Sequence, residues 1–514
     1  MIYLLLYKDA TEFAAAESGT PGDGVVSIVP GVSLTEDVEV VDYNPLPAKA
    51  LIFVNNTNTD GTVTLTAVGA PPKVALDYSN DNTVYSTISS NDTPAAGDKL
   101  TFQLPAGGKL YLKGENTRFA TAVGNRWSFN ASVSYHLEGD IMAIVADETE
   151  MTQPYEFAGL FHSSDKITTV EDGVLSAPVV SNSGYHSMFY SASLTQMPSL
   201  TANTLGDSAY AQMFRNASFK TVGPLPAMNL GKNCYDNMFR WAVNLTGMPT
   251  SLPAMVLADS CYASMFLNCT KLTKAPEIMA ENAYPVCFAS MFNTCTALVT
   301  PPVMHIKRLE GAGDDTHADM CCQYMFDGCR SLTGTPDFFQ NITGSVVTWR
   351  AFQYMFRGCT SLTYACDLPA TGGTPYCYCQ MFAGCTSLVN APVIGLTDIG
   401  YGITGRTSGL QCQGMFMGCT SLTTAPVLKA NLLKFHCYES MFSGCTSLNY
   451  VKAMFTETYP TESALTPTDA TYQYVTDWLS GVAPTGTFVK HPNATWTNAE
   501  MGIPSGWTVQ TSTS

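Results

Sequence analysis

Apolar positions recur along this chain in units of roughly 25 residues, each marked by the dipeptide Met-Phe. The dipeptide occurs ten times between Met188 and Met441, at steps of 25 to 34 residues, and a degenerate eleventh copy begins at Gly159. A single unit of this size cannot bury its apolar side alone. A fixed internal period therefore predicts structural repeats that stack on one another around a shared interior.

The spacing within each unit predicts its local structure. Tyr, Met and Phe stand three and four residues apart, which is typical of a short helix or helical turn. From Met238 onward a Leu follows seven residues after the Met, and a Pro usually comes four residues later, as at Leu272 and Pro276. The Leu-Thr segment predicts a short strand, and we expect the Pro to end its pairing because Pro has no N–H to donate. Parallel strands ~4.8 Å apart would give a rod roughly 50 Å long.

Three of the steps are stretched by insertions at 305–319, 337–349 and 395–409. Insertions in stacked repeats become surface loops, and such loops often carry recognition. Aromatic side chains there suit stacking on sugars or anchoring a protein partner. The alternative is that these rings pack locally against the stack. The candidate binding residues are His305, Arg308, Asp314, Asp315, Phe338, Phe339, Trp349, Tyr401 and Arg406.

The pattern of residue types along the chain predicts a mainly β protein with short helices, divided into four regions. Residues 1–48 form a leader that is a candidate docking segment. Residues 49–150 alternate apolar and polar positions between turn signals, which predicts a small all-β, sandwich-like domain. Residues 151–448 hold the repeats. Residues 449–514 contain three of the six Trp and are predicted to cap the open end of the stack.

Charge and hydropathy narrow the choice of partners. Charged residues make up only 13% of the chain, and the net charge is −17. No cluster of Lys and Arg is present to bind a nucleic acid or an anionic membrane surface. No window of 18 apolar residues predicts a membrane span. The run Met1–Tyr7 lacks a basic start and meets Lys8 directly, which favours a strand over a signal peptide.

Cysteine is the most prominent candidate for site chemistry, since all 17 lie between Cys234 and Cys445. Thirteen fall into two columns, four residues before the Met and four residues after it. The earliest repeats carry Ala192, Ala217 and Ala242 in the second column. A position that accepts either Ala or Cys favours a small buried group over a metal ligand or a required disulfide. We expect buried free thiols.

Metal ligation and catalysis have weaker support. The pair Cys321-Cys322 near His317 lacks the second pair that a zinc finger needs. Asp314 and Asp315 would suit calcium, but the EF-hand spacing is absent and a solvated loop is the simpler interpretation. No GxSxG elbow, HExxH pair or phosphate loop occurs. We therefore predict no catalytic residue, no metal and no cofactor.

The best repeats carry a family resemblance. They read CYCQMFAGCTSLVNAP at 377–392 and CYESMFSGCTSLNYVK at 437–452. These residues resemble the BspA-like leucine-rich repeats, with the motif C-[YF]-x-x-M-F-x-G-C-T-S-L-T-x-A-P, over residues 155–510. The resemblance implies a leucine-rich-repeat solenoid. It also implies attachment to host proteins or glycans, because the family consists of surface and secreted adhesins of host-associated bacteria, with related arrays on gut bacteriophage virions.

The start of the chain favours one branch of that family. The segment YKDATEFAAAE resembles leaders of phage structural proteins from gut anaerobe viruses. We therefore expect a protein of the virion surface, a fibre or decoration subunit, that docks on other virion proteins and binds host-surface or mucus glycans or proteins. A secreted bacterial adhesin is the alternative. A glycan-active enzyme, which needs two carboxylates across a cleft, is the third hypothesis. A homo-oligomer would suit a fibre, although no coiled-coil heptad supports one.

Overall fold

The computed structural model describes residues 49–146, 150–309, 319–342, 346–399, 409–430, 433, 436–456, 474–499 and 501–513. The predicted leader and four candidate residues, Asp314, Asp315, Tyr401 and Arg406, lie outside the described residues. Within them the chain is mainly β, as predicted, with short 3-10 helices at Ile141–Ile144 and Asp337–Asn341. No helix in this part of the chain has the length and apolar character needed to cross a membrane.

Two sheets precede the repeats. Their strands are β1 Leu51–Asn55, β2 Gly61–Val68, β3 Ala75–Ser79, β4 Ser86–Ser89, β5 Lys99–Leu104, β6 Lys109–Lys113, β7 Ala120–Ala122, β8 Asn125–Ala131, β9 Tyr135–Gly139 and β10 Ile167–Val170. One sheet has the order β10-β9-β1-β6-β3-β4, and the other has the order β5-β2-β8-β7. Buried residues alternate with partly exposed ones along β2, as expected for a strand with one face in a core. That core includes Phe53, Phe102 and Trp127.

The repeats continue directly from these sheets. Strand β10 pairs in parallel with β9, with Ile167 opposite Tyr135. The backbone N–H of Phe129 in β8 donates to the carbonyl oxygen of Leu160, 2.6 Å away. The buried residues of the sheets and of the repeats consequently form one apolar cluster. The sheets cover the first repeat and so meet the need of a repeat array for a sealed end.

The Met-Phe segments are linked turns, so of the predicted short helix or helical turn only the turn is found. The N–H groups of Tyr185, Ser187 and Phe189 donate to carbonyl oxygens of the following repeat at 2.9–3.0 Å. The N–H groups between them, those of His186 and Met188, donate three residues back at 3.1 Å. A left-handed residue at every fourth position stops each turn from continuing as a helix. Tyr, Met and Phe still face the interior as predicted, because the linked turns bring residues three and four positions apart to the same side of the chain.

The other side of each repeat carries very short parallel pairings. Isolated bridges join residues that lie two positions after the buried Leu of their repeats. Lys274, which follows Leu272, pairs in this way with Thr300, which follows Leu298. This pairing stops before the Pro, as expected, and a separate pairing begins directly after it, where Glu277–Ile278 follows Pro276. The short strands are β11 Val179–Val180, β12 Thr204–Leu205, β13 Asn229–Leu230, β14 Ser251–Leu252, β15 Glu277–Ile278, β16 Asn282–Ala283, β17 Arg308–Leu309, β18 Val346–Val347, β19 Gly372–Gly373 and β20 Asp398–Ile399.

A column of phenylalanine rings runs through the interior of the stack. From Phe129 in β8 to Phe442, successive ring centroids lie 5.4–5.8 Å apart. This spacing is typical of offset-stacked rings, which contribute beyond their buried area. Phe292 and Phe326 keep a spacing of 5.7 Å although 34 residues separate them in sequence. The insertion there leaves the stack unbroken.

The C-terminal residues extend the same pattern beyond the last Met-Phe pair. The N–H of Phe442 donates to the carbonyl oxygen of Trp478 at 2.9 Å, as each earlier Phe does to the next Met. Strands β21 Tyr450–Ala453, β22 Gly486–Lys490 and β23 Trp507–Thr511 then form a parallel sheet. The indole N–H of Trp478 donates to the carbonyl oxygen of Met501 at 2.7 Å. The described residues of the region predicted as a cap thus add one more layer to the stack.

Candidate ligand-binding face

The left-handed residues of the turns define one side of the stack, here called the turn face. Each repeat has three such residues: one lies five residues before the Met, one lies directly before it, and one lies three residues after it. Across the repeats they form three columns, with φ between 50° and 75°. Ser, Asn and Gly tolerate this conformation best, because a short polar side chain bonds locally and Gly has no Cβ. The column after the Met contains Ser191, Asn216, Trp241, Asn268, Thr294, Gly328, Gly358, Gly384, Gly418, Gly444 and Gly481.

Trp241 is the exception in that column. Its φ is 63°, a conformation that a bulky side chain adopts only at a cost of about 1–3 kcal/mol. Its neighbours in the preceding and following repeats are Asn216 and Asn268, which suit the same conformation without that penalty. The side chain is 37% exposed, so part of the ring remains accessible to a ligand. Such strain is often found at binding sites.

Two arginines lie against the Trp241 ring. The guanidinium carbon of Arg215 is 4.5 Å from the ring centroid, and that of Arg240 is 4.7 Å away. Arg215 also lies 5.3 Å from the ring of Tyr190, one repeat earlier. Cation–π contacts of this kind stabilise by about 0.5–1 kcal/mol when exposed and by more when desolvated. Tyr190, Arg215, Arg240 and Trp241 are called the Trp241 cluster below.

Local side chains hold these arginines in place. Arg215 donates to Gln212 Oε1 at 2.8 Å, and Arg240 donates to Asn237 Oδ1 at 3.1 Å. The Nε atoms of both arginines are buried and lack a hydrogen-bond partner among the described residues. The guanidiniums are thus oriented but retain unused donor capacity.

His162 extends the cluster toward the N-terminal sheets. Its ring stacks on that of Tyr190 with centroids 4.7 Å apart and planes within 1° of parallel. Burial, together with the nearby charge of Arg126, lowers the pKa of His162 to about 4. At neutral pH the imidazole is therefore uncharged and acts as a flat stacking partner.

A second aromatic and basic cluster lies further along the turn face. The guanidinium carbon of Arg350 is 4.1 Å from the centroid of the Trp349 ring and 4.9 Å from that of Tyr376. Nearby, Arg357 packs on Tyr354 but also forms a two-pronged ion pair with Asp327, at 2.7 and 2.9 Å. The charge of Arg357 is consequently satisfied within the protein.

The structure places the candidate residues from the insertions in different environments. Phe338 and Phe339 are buried, 1% and 2% exposed, with ring centroids 4.3 Å apart. The 3-10 helix Asp337–Asn341 turns both rings inward, and Phe339 packs edge-on against Phe352 at 4.9 Å. Neither ring is accessible to a ligand, so their assignment as binding residues is corrected to local packing.

The remaining candidates in the described part are accessible. His305 is partly exposed, and its Nε2 lies 2.7 Å from Glu277 Oε1 in the neighbouring repeat. Arg308 is exposed in β17. Trp349 is partly exposed, and its backbone N–H donates to Asp319 Oδ1 at 3.1 Å. Of these three, Trp349 belongs to an aromatic cluster of the turn face, whereas His305 forms a local polar pair.

The cysteines belong to the interior. All 17 are buried with free thiols, which confirms the predicted burial. Burial raises the pKa of Cys261 and of Cys295 to about 12, so both remain protonated at neutral pH. Among the described residues, no group of three or more His, Cys, Asp or Glu side chains is placed to hold a metal ion.

A shallow groove of about 340 Å³ lies outside the turn segments, between residues 222–226 of one repeat and residues 248–253 of the next. Its lining is dominated by apolar side chains and includes Pro224, Pro226 and Pro249. No acidic, basic or His residue lines it. The groove offers apolar contact but no group for acid–base chemistry.

The chain shows little similarity to known proteins. No protein-family model matches the chain, and no curated protein matches it. One solved structure, of a leucine-rich repeat protein from Bacteroides ovatus ATCC 8483, is 15% identical with a TM-score of 0.30. That match covers 68% of this chain and 79% of the other.

Proposed function

We propose that this protein is a non-catalytic binding protein whose turn face contacts the ligand. The observation that carries the proposal is the placement of Trp241, a strained, exposed ring in a column of Ser, Asn, Thr and Gly. Folding alone favours a small residue there, so a role outside the fold accounts for the ring better. Exposed aromatic and Arg side chains are the residues that most often dominate binding energy.

The finer interpretation of the fold belongs to this proposal. We interpret the stack as a BspA-like leucine-rich-repeat solenoid over residues 151–448. The two sheets within 49–150 would be its sandwich-like N-terminal domain, and 449–514 would be its C-terminal cap. The repeating parallel bridges and the continuous column of Phe rings support this interpretation.

We further propose that the protein acts on the surface of a phage virion, as a fibre or decoration subunit. The leader 1–48 would dock on other virion proteins, and the turn face would bind glycans or proteins of a host surface or of mucus. The support is the repeat motif together with the N-terminal resemblance, and the composition, poor in charge, suits a surface of hydroxyl and amide groups. Secretion as a bacterial adhesin would use the same turn face.

An array of glycans and mucins tests the binding role. The intact protein and the Trp241→Asn variant are compared, with Tyr364→Asn as a matched control because Tyr364 is 59% exposed and lies outside the turn segments. We expect bound glycans or mucins whose signal falls in Trp241→Asn and is unchanged in Tyr364→Asn. Retention of full binding in Trp241→Asn would contradict the assignment of the turn face.

Variants with shortened insertions test separately the hypothesis that the insertion loops carry recognition. Removal of 311–317 and 401–407 leaves every described repeat residue in place. If recognition resides in those insertions, their removal abolishes the array signal. If it resides on the turn face, the signal persists, and the Trp241 cluster or the second cluster, of Trp349, Arg350 and Tyr376, carries the function.

A further inference from the structure

The Trp241 cluster concentrates positive charge in an acidic protein. Arg215 and Arg240 lie against one indole ring, while the whole chain carries a net charge of −17. Among the ion pairs formed within the described ranges, none includes either arginine. Arg357, on the same face, differs because Asp327 neutralises it. The two unpaired guanidiniums therefore form a local cationic site.

The electrostatics of the cluster are unfavourable without an anion. Burial, and then the positive charge of Arg215, lowers the pKa of Arg240, so the two cations destabilise each other. The acid whose charge acts on both is Asp236, a partly buried carboxyl group that accepts a hydrogen bond from Asn237 at 2.7 Å. Burial raises the pKa of Asp236, so its compensating charge is itself costly to maintain. An external anion bound to the two guanidiniums would relieve the repulsion between them.

The side chains around the two arginines are mostly amides and hydroxyls. Gln212 and Asn237 bond the guanidiniums directly, and Asn216 donates to Ser191 Oγ at 3.1 Å. These groups recur from one repeat to the next along the stack. They match the ring hydroxyls of a saccharide better than the apolar side chains that anchor a peptide.

We propose that the Trp241 cluster binds an acidic saccharide, one that carries carboxylate or sulfate groups. Arg215 and Arg240 would hold the anionic group, and the neighbouring amides would bond the sugar hydroxyls. The inference rests on the binding role proposed above and names the ligand class for that site. A charge of −17 repels polyanions overall, so any binding of an acidic polymer has to come from a local site of this kind.

Matched polymers provide the test. Binding of heparin, and of a neutral form whose sulfates have been removed and whose carboxylates have been reduced, to the full-length protein is measured by titration calorimetry at low and at physiological salt. Polygalacturonate supplies the carboxylate arm, and polyglutamate supplies an acidic polymer that is not a sugar. We expect heparin or polygalacturonate to bind and their binding to weaken with salt. The neutral form of heparin and polyglutamate should bind about tenfold more weakly or not at all.

Three variants locate the site. Arg215→Gln and Arg240→Gln remove one charge each, and Trp241→Asn restores the small residue of the column; each is expected to lose about tenfold in affinity. Arg330→Gln is the charge-matched control, since Arg330 is exposed and lies outside the cluster. Thermal unfolding of every variant is recorded in parallel, and a fall in affinity counts only where the melting temperature stays at the wild-type value or above it.

The outcomes separate this inference from the broader one. Equal affinity for heparin and its neutral form, equal binding of polyglutamate, or full affinity in all three variants overturns the acidic-saccharide site. If the array instead reports a neutral glycan whose signal is lost in Trp241→Asn, the binding role stands and the preference for acidic sugars fails.

Discussion

The thiol of Cys295 donates to the backbone carbonyl oxygen of Phe266, one repeat earlier, across 3.1 Å. The same carbonyl accepts the N–H of Cys269 at 3.0 Å within its own repeat. Every Cys in this column makes the equivalent bond, at 3.0–3.2 Å, from Cys269 to Cys445. The column thus links successive repeats through side chains, in addition to the backbone ladder of the turns.

Replacing one of these thiols should weaken the stack by a small, defined amount. Cys295→Ala removes a weak hydrogen bond and leaves a small void, for an expected loss of about 1–2 kcal/mol in the free energy of unfolding. Ala242→Cys is the reciprocal change at the same position of an earlier repeat, and it should be neutral or stabilising. Urea unfolding followed by circular dichroism measures both. An unchanged midpoint for Cys295→Ala would mean that neither the hydrogen bond nor the volume of the thiol stabilises the stack.

The column of Phe rings should dominate stability. Phe326 is fully buried between Phe292 and Phe356, with ring centroids 5.7 and 5.5 Å away. Phe326→Ala is expected to cost about 3–5 kcal/mol, since both neighbours lose a stacking partner and a large cavity opens. Thr333→Ala, at an exposed position of the same repeat, serves as the control and should change the free energy of unfolding by less than about 0.5 kcal/mol. Similar effects for the two variants would contradict a shared dry interior.

The left-handed column offers a test of the strain at Trp241. Trp241→Gly relieves a bulky residue at φ 63° and should raise the free energy of unfolding by about 1 kcal/mol. Gly384→Ala makes the opposite change at φ 75°, where an added Cβ would lie 3.7 Å from its nearest neighbours and so meet no clash. Its cost, about 1–2 kcal/mol, would therefore report the backbone conformation alone. Destabilisation by Trp241→Gly would show that the ring is retained for packing.

The low pKa of His162 makes part of the stability dependent on pH. A histidine in the unfolded chain titrates near 6.5, whereas in the folded protein it titrates at about 4. Between these values the unfolded chain binds a proton that the folded protein does not, so stability is lost as the pH falls from 6.5 to 4. Between pH 7.5 and 4.5 the melting temperature of His162→Gln should fall by less than that of the wild type. An identical loss in both proteins would assign the acid sensitivity to other groups.

The sequence allowed the interior to be predicted but not the path of its backbone. The Met, Phe, Leu and Cys columns recur with the period of the repeat, and the structure buries them as expected. Tyr185, Met188 and Phe189 have a spacing that fits a short helix and a helical turn equally well, so this spacing does not distinguish the two. Ser or Asn at every fourth residue, as at Ser187 and Ser191, was the signal for left-handed turns, since these residues favour turns over helix interiors.

The candidate site could be predicted only in part, for a related reason. An insertion rich in aromatic residues fits an exposed loop or a packed one equally well, and Phe338 and Phe339 are packed. Trp241, in contrast, lies inside an ordinary repeat, where aromatic residues are expected in the core. Only alignment of the repeats by the left-handed column shows that its position is reserved for small residues.

Hydroxyl-radical footprinting of the protein with and without bound mucin glycopeptides tests the central claim that the turn face is the ligand-binding face. Oxidation at each side chain is read by mass spectrometry. The account predicts protection of Tyr190 and Trp241, with Tyr364 and Met255, exposed outside the turn segments, oxidised as in the free protein. Protection of Tyr364 and Met255 while Trp241 remains fully reactive would contradict it.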